Sequence, residues 1–145
     1  MKKAIVLAAR EKLGIHICKQ LLKHDYEIYA LDEERFQTER HEQRWMWIGR
    51  NANIQLYDMS DNNINIDHEK TTIVFLPLYL YEQKQDEGAI EHFQLFVNTY
   101  IKPLKNIKIV ALYSPYSSLK LRSLYEDLAS ILSDRTYMIV VTNKK

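Results

Sequence analysis

The chain has 145 residues, 46% hydrophobic and 27% charged, proportions that fit one folded domain with a sizeable core and exclude disorder and fibrous repeats. Twenty basic and 19 acidic residues leave a net charge of +1, so no global field draws the protein to nucleic acid or an anionic membrane. A single cysteine excludes an intramolecular disulfide and any multi-cysteine zinc site, which fits a reducing, cytoplasmic setting.

Met1-Lys2-Lys3 followed by Ala4 to Ala9 looks like the opening of a signal peptide, but Arg10, Glu11 and Lys12 end the apolar run too early. Neither an export signal nor a membrane span is expected. The run Lys3–Ala9 instead predicts a strand covered on both faces. Residues 11–24 follow helical spacing, with Leu13, Ile17, Leu21 and Leu22 on one face and Cys18 near it as a small core residue. Glu27–Asp32 predicts a second strand, 33–44 a charged helix-prone stretch, and Asn53–Tyr57 a third strand. A fourth strand, Thr71–Leu76, is stopped by Pro77.

The longest helix is expected over 86–104, striped by Ile90, Phe93, Phe96, Val97, Ile101 and Leu104. Ile107–Leu112 predicts a fifth strand. Ser114 and Pro115 are an N-cap and first-turn proline for a helix over 115–132, and Tyr137–Val141 closes the pattern as a sixth strand. Strands alternating with helices imply a single doubly wound α/β domain, a parallel sheet between two helical layers.

Such sheets bind ligands at the carboxyl ends of the strands, where the winding reverses. The first strand-to-helix turn runs from Ala8 to Gly14, and it is poor in glycine: the whole chain has three, where average usage gives about ten. Gly14 holds the helix–strand packing position of a dinucleotide turn. Ala9 and Arg10 lie where the backbone passes a pyrophosphate, and the Glu11 carboxylate repels one. Arg10 and Lys12 read most simply as solvated loop charges. Asp32 ends the second strand about twenty residues on, where an acidic side chain holds a ribose, although Asp32-Glu33-Glu34 also reads as a helix cap. Asp58-Met59-Ser60-Asp61 is either an adenine-side contact or a polar turn.

Beyond the fifth strand stands Tyr116-Ser117-Ser118-Leu119-Lys120. Tyrosine and lysine at i, i+4 share a helix face, where the ammonium lowers the phenol's pKa and suits it to acid/base work. The five histidines show no paired metal-ligand spacing. Arg35, Arg40, Arg44 and Arg50 near Trp45 and Trp47 are interleaved with Glu33, Glu34, Glu39 and Glu42, which fits a solvated helix with a tryptophan-anchored packing site better than a nucleic-acid surface.

Taken together, Gly14, Asp32, the Asp58–Asp61 turn, Val97-Asn98 and Tyr116-x-x-x-Lys120 resemble the short-chain dehydrogenase/reductase family over nearly the whole chain. The resemblance implies a Rossmann-type fold, NAD or NADP as cofactor, and a catalytic set of Asn98, Ser114, Tyr116 and Lys120. It also implies pairing of two copies through helices 86–104 and 115–132, with Phe93, Phe96, Tyr100, Leu124 and Leu128 at the interface. Asp32 points to NAD and Arg10 weakly to NADP. The chain departs from the family where function is decided. The glycine turn is reduced to Gly14, Phe75-Leu76-Pro77-Leu78 replaces a glycine-bearing loop, and Ser114 stands only two residues before Tyr116. The expectation is a truncated, degenerate relative that binds a protein or, weakly, a nucleotide without catalysis. The alternatives are an active NAD(P)-dependent oxidoreductase completed by a second subunit, and a purely structural dimerisation module.

Overall fold

A computed structural model describes residues 1–61, 63–105, 107–113 and 136–140. Six parallel strands form one sheet: β1 (Lys3–Leu7), β2 (Glu27–Asp32), β3 (Ile54–Asp58), β4 (Thr71–Pro77), β5 (Lys108–Tyr113) and β6 (Thr136–Val140). Their spatial order is β3-β2-β1-β4-β5-β6, the doubly wound arrangement anticipated from the alternating pattern. The winding reverses between β1 and β4, so the carboxyl ends of those two strands flank the crevice where such folds take ligands.

Alternation along the strands sends side chains to two cores. Ile5, Leu7, Leu31, Val74, Leu76 and Ile109 pack on one face with Phe93, Phe96 and Ile101. Val6, Ile28, Ala30, Phe75 and Leu112 pack on the other with Ile15 and Cys18. Both faces of β1 are therefore covered, which is why its sequence is continuously apolar. Cys18 is a core residue whose thiol burial pushes up to about 12, so it is inert at neutral pH.

Helix α1 (Lys12–Lys23) and helix α2 (Glu39–Trp45) follow β1 and β2. The charged stretch after β2 is not one helix. A 3-10 turn at Glu34–Phe36 precedes α2, whose true start is Thr38, with the Thr38 and His41 side chains closing a reciprocal capping box. Trp45 packs against the α1-side core, whereas Trp47 is 85% exposed.

Pro77 ends β4, as predicted, but also opens a helix that periodicity did not reveal, α3 (Leu78–Lys84). Seven residues are too few to display an apolar stripe. The long helix expected over 86–104 is interrupted as well. Helix α4 (Glu87–Phe96), capped by Asp86, passes into a π-turn at Val97–Ile101. There the Lys102 amide donates to the Val97 carbonyl at 2.9 Å, five residues back. The extra residue per turn keeps Val97 and Ile101 in the same core as Phe93 and Phe96.

Candidate site at the carboxyl ends of β1 and β4

The turn between β1 and α1 begins at Ala8, whose φ of 54° is left-handed, a conformation that costs a residue with a side chain about 1–2 kcal/mol. The Glu11 amide donates to the Ala8 carbonyl at 3.1 Å, closing the turn. Gly14 is required by contact and not by φ. A Cβ there would lie 2.2 Å from the Ala8 carbonyl oxygen and 2.9 Å from the Ala9 Cα. The packing role assigned to Gly14 from its position is thus met by the geometry. Ala8→Gly should relieve the left-handed residue, and stabilisation by about 1 kcal/mol in urea denaturation is the expected result.

Arg10 is not the solvated loop charge its sequence context suggests. It is 4% exposed and Asp32 2%, and the two are joined twice. The Asp32 Oδ2 accepts from the Arg10 backbone N–H at 3.2 Å and from Nε at 2.9 Å, while Arg10 Nη2 donates to Glu34 Oε2 at 2.6 Å. Burial would lower the Arg10 pKa, but its bonds to Glu34 and Asp32 outweigh that and leave it raised. Burial pushes the Asp32 carboxyl up to about 6, against the pull of Arg10 and with a further push from Glu11.

Asp32 does not cap the following turn. The Glu34 amide donates instead to Asp58 Oδ1 at 2.9 Å, and the Ser60 hydroxyl donates to the other Asp58 oxygen. Burial would raise the Asp58 carboxyl, but these bonds outweigh it and hold it low. Asp58 therefore fixes the chain beside Asp32 through its own hydrogen bonds.

Glu11 stands at the N-cap of α1 without capping it. His41 Nε2 lies 2.8 Å from Glu11 Oε1, and His41 Nδ1 accepts the Thr38 backbone N–H at 3.0 Å. With Nδ1 taking that N–H, Nε2 is the ring nitrogen placed to donate to Glu11. Across the crevice, His92 Nδ1 on α4 lies 2.7 Å from Glu33 Oε1, and Arg35 pairs with Asp86. Phe36 is flanked by Arg35 and Lys84, each 4.8 Å from its ring centroid.

Between Asp32 and Glu33 on one side and Leu80, Tyr81 and Lys84 of α3 on the other, about 30 Å³ remains. That holds on the order of one water, whereas ligand sites run to about 300–1,000 Å³. Tyr81 is buried in this wall and stacks on Phe93 at 4.8 Å between centroids. Burial pushes its hydroxyl up, reinforced by Glu33 and Asp32, so it stays protonated.

Judged by these side chains, the crevice does not fit a dinucleotide. The left-handed residue of the turn is Ala8 and not a glycine, a carboxylate stands at the start of α1, Asp32 is engaged by Arg10, and α3 narrows the space. Ala9, Arg10, Gly14 and Asp32 lie together at this turn. Asn98 is exposed on the π-turn. Ser114, Tyr116 and Lys120 lie outside the described residues. No group of three or more histidine, cysteine or acidic side chains suited to a metal occurs among the described residues, and no described helix is long and apolar enough to cross a membrane.

These features define a Rossmann-like α/β domain in which, among the described residues, Arg10, Asp32 and α3 crowd the crevice at the carboxyl ends of β1 and β4. Solved structures share the fold. The chain superposes on Gre2 from Candida albicans in complex with NADPH (TM-score 0.54, 11% identity), covering 97% of this chain and 56% of that one. It superposes equally on the yeast methylglyoxal/isovaleraldehyde reductase Gre2 complexed with NADPH (TM-score 0.54, 15% identity), covering 98% and 55%. The chain thus spans little more than half the length of these neighbours. No protein-family model and no curated protein matches it.

Proposed function

We propose that this chain is a reductase-like domain that works by binding and not by hydride transfer. The observation that carries the reading is the Arg10–Asp32–Glu34 network, which engages the carboxylate a ribose would need. Loss of the open crevice removes the positioning on which hydride transfer depends. The fold likeness to NADPH-bound reductases supports descent from a nucleotide-binding scaffold, and weak or absent NAD or NADP binding follows from the crowded crevice. Mixing the protein with NADH or NADPH and a panel of aldehydes and ketones should give no oxidation of the nicotinamide above the protein-free rate. Turnover abolished by Tyr116→Phe would instead establish the active oxidoreductase, a reading favoured by Tyr116-x-x-x-Lys120 in the sequence.

The partner this reading favours is a second copy of the chain, joined through 86–104 and 115–132. Phe93 and Phe96 do not serve such a contact directly, since both are buried in the protomer's own core. On α4 the exposed apolar side chain is Leu95, at 59%, with Tyr100 half-buried beyond it. Light scattering at micromolar concentration should report a dimer, and Leu95→Lys should shift it to monomer. A wild-type monomer would remove self-association from the reading.

A further inference from the structure

We propose that the outer face of α1 and α2 docks on the anionic headgroups of a lipid bilayer, with Trp47 and Met46 entering the interface beside two rows of cations. The inference goes beyond the reading above and does not depend on whether the crevice is open. The face also lies across the sheet from α4, so self-association through Leu95 leaves it free.

The first observation is a separation of charge that the net value of +1 conceals. The arginines from Arg35 to Arg50 alternate in sequence with Glu33, Glu34, Glu39 and Glu42. The fold draws Glu33 and Glu34 away to the crevice, against His92 and Arg10. Helix α1 contains no acidic residue, and its exposed Lys12, Lys19 and Lys23 recur on one helix face. On α2, Arg40 and Arg44 share a face at i, i+4, and Arg50 follows in the turn beyond. The two helices pack on the same side of the sheet through Ile15, Cys18 and Trp45, and the Glu11–His41 contact at 2.8 Å joins their starts. None of the six cationic side chains has a hydrogen bond or ion pair among the described residues. The exposed carboxylates beside them are Glu39, Glu42 and, in the turn after α1, Asp25.

The second observation is apolar. Trp47 is 85% exposed and its neighbour Met46 55%, at the end of α2 where Trp45 is already committed to the core. At that exposure Trp47 stands clear of the domain and does not wall a hollow. An indole has an apolar body and a polar N–H, the combination that settles at a bilayer interface, and adjacent cations meet the headgroups. A nucleic-acid strand fits less well. Strand binding stacks successive bases on several aromatic rings, whereas this face offers one free ring beside a methionine.

The test is co-sedimentation of the full chain with vesicles of phosphatidylcholine alone and of phosphatidylcholine and phosphatidylserine in equal parts. Tryptophan fluorescence is followed in parallel. Wild type should bind the phosphatidylserine vesicles at least about tenfold more tightly than the neutral ones, since each cation near an anionic surface strengthens binding about fivefold. Added salt should weaken that binding, and the emission should shift to the blue. Trp47→Ala should lose the shift and weaken binding about tenfold, the order expected for losing an anchoring aromatic side chain. Lys19→Gln combined with Arg40→Gln removes one cation from each helix and should weaken binding by about tenfold or more. All three side chains are exposed, and circular dichroism establishes that the variants are folded. The inference is overturned if wild type does not sediment with phosphatidylserine vesicles, if it binds both kinds equally, or if either variant binds as wild type does. Binding of a single-stranded oligonucleotide without binding to vesicles overturns it too, by assigning the cations to nucleic acid. The closed-crevice reading stands in each of these cases.

Discussion

Gly14→Ala is expected to destabilise the domain by about 3 kcal/mol or more, the upper range for overpacking a filled site. For a domain of this size that corresponds to a loss of roughly 10 °C in Tm. The added Cβ would lie 2.2 Å from the Ala8 carbonyl oxygen and 2.9 Å from the Ala9 carbonyl carbon and Cα. All three are backbone atoms at the end of a central strand and cannot swing aside as a side-chain tip would. Relief requires α1 to lift from β1, which uncovers Ile15 and Cys18 in the core beneath. Urea denaturation of Gly14→Ala and Ala8→Gly provides an internal contrast. Two substitutions on one turn should move stability in opposite directions, and equal, small effects would contradict the close packing described.

The second large effect belongs to Asp32. Asp32→Ala leaves the Arg10 guanidinium buried with Glu34 as its remaining partner among these carboxylates, a loss of about 3–5 kcal/mol by the usual cost of breaking a buried pair. Arg10→Ala should cost less, because the abandoned carboxyl can take up a proton whereas a guanidinium cannot release one. The pair also predicts a pH profile. Asp32 titrates at about 6 in the folded chain against an ordinary 3.8, so the folded state holds this proton more tightly than the unfolded state. Its contribution to stability is fully present below about 3.8 and is lost as pH rises through about 6. Asp58, Asp67 and Asp86 are shifted the other way, and their contributions are lost as pH falls. Wild type should therefore melt highest near pH 5, estimated from these opposing shifts. In Asp32→Asn the gain between neutral pH and that maximum should disappear. A wild-type curve that falls steadily from pH 7 to pH 5, with Asp32→Asn falling less, would show Asp32 to be shifted down instead.

The fold was legible because its strongest signals are local. Continuous apolar runs at Lys3–Leu7 and Thr71–Leu76 mark strands buried on both faces, and the helical stripe of α1 stands between two of them. The elements that shape the crevice carried weaker signals. Helix α3 has only seven residues and begins at a proline that reads as a terminator. The π-turn cannot be seen in a pattern counted at 3.6 residues per turn, because the stripe through Val97, Ile101 and Leu104 remains apolar in either geometry. Arg10 and Asp32 each stand out in the sequence for a different reason, 22 residues apart. Their meeting follows from β1 and β2 lying side by side in the same direction, a relation that turns one loop charge into a buried ion pair. The links of Glu33 to His92 and Glu11 to His41 had no such cue, since nothing in their spacing distinguishes them from surface charges.

Closure of the crevice by its own side chains is tested most directly by calorimetric titration of the wild-type protein with NAD, NADH, NADP and NADPH. The expected result is no saturable heat with any of the four up to millimolar concentration. Saturation by one of them in the micromolar range would show that Arg10, Glu11 and α3 yield to a dinucleotide, and that the crevice is a working cofactor site.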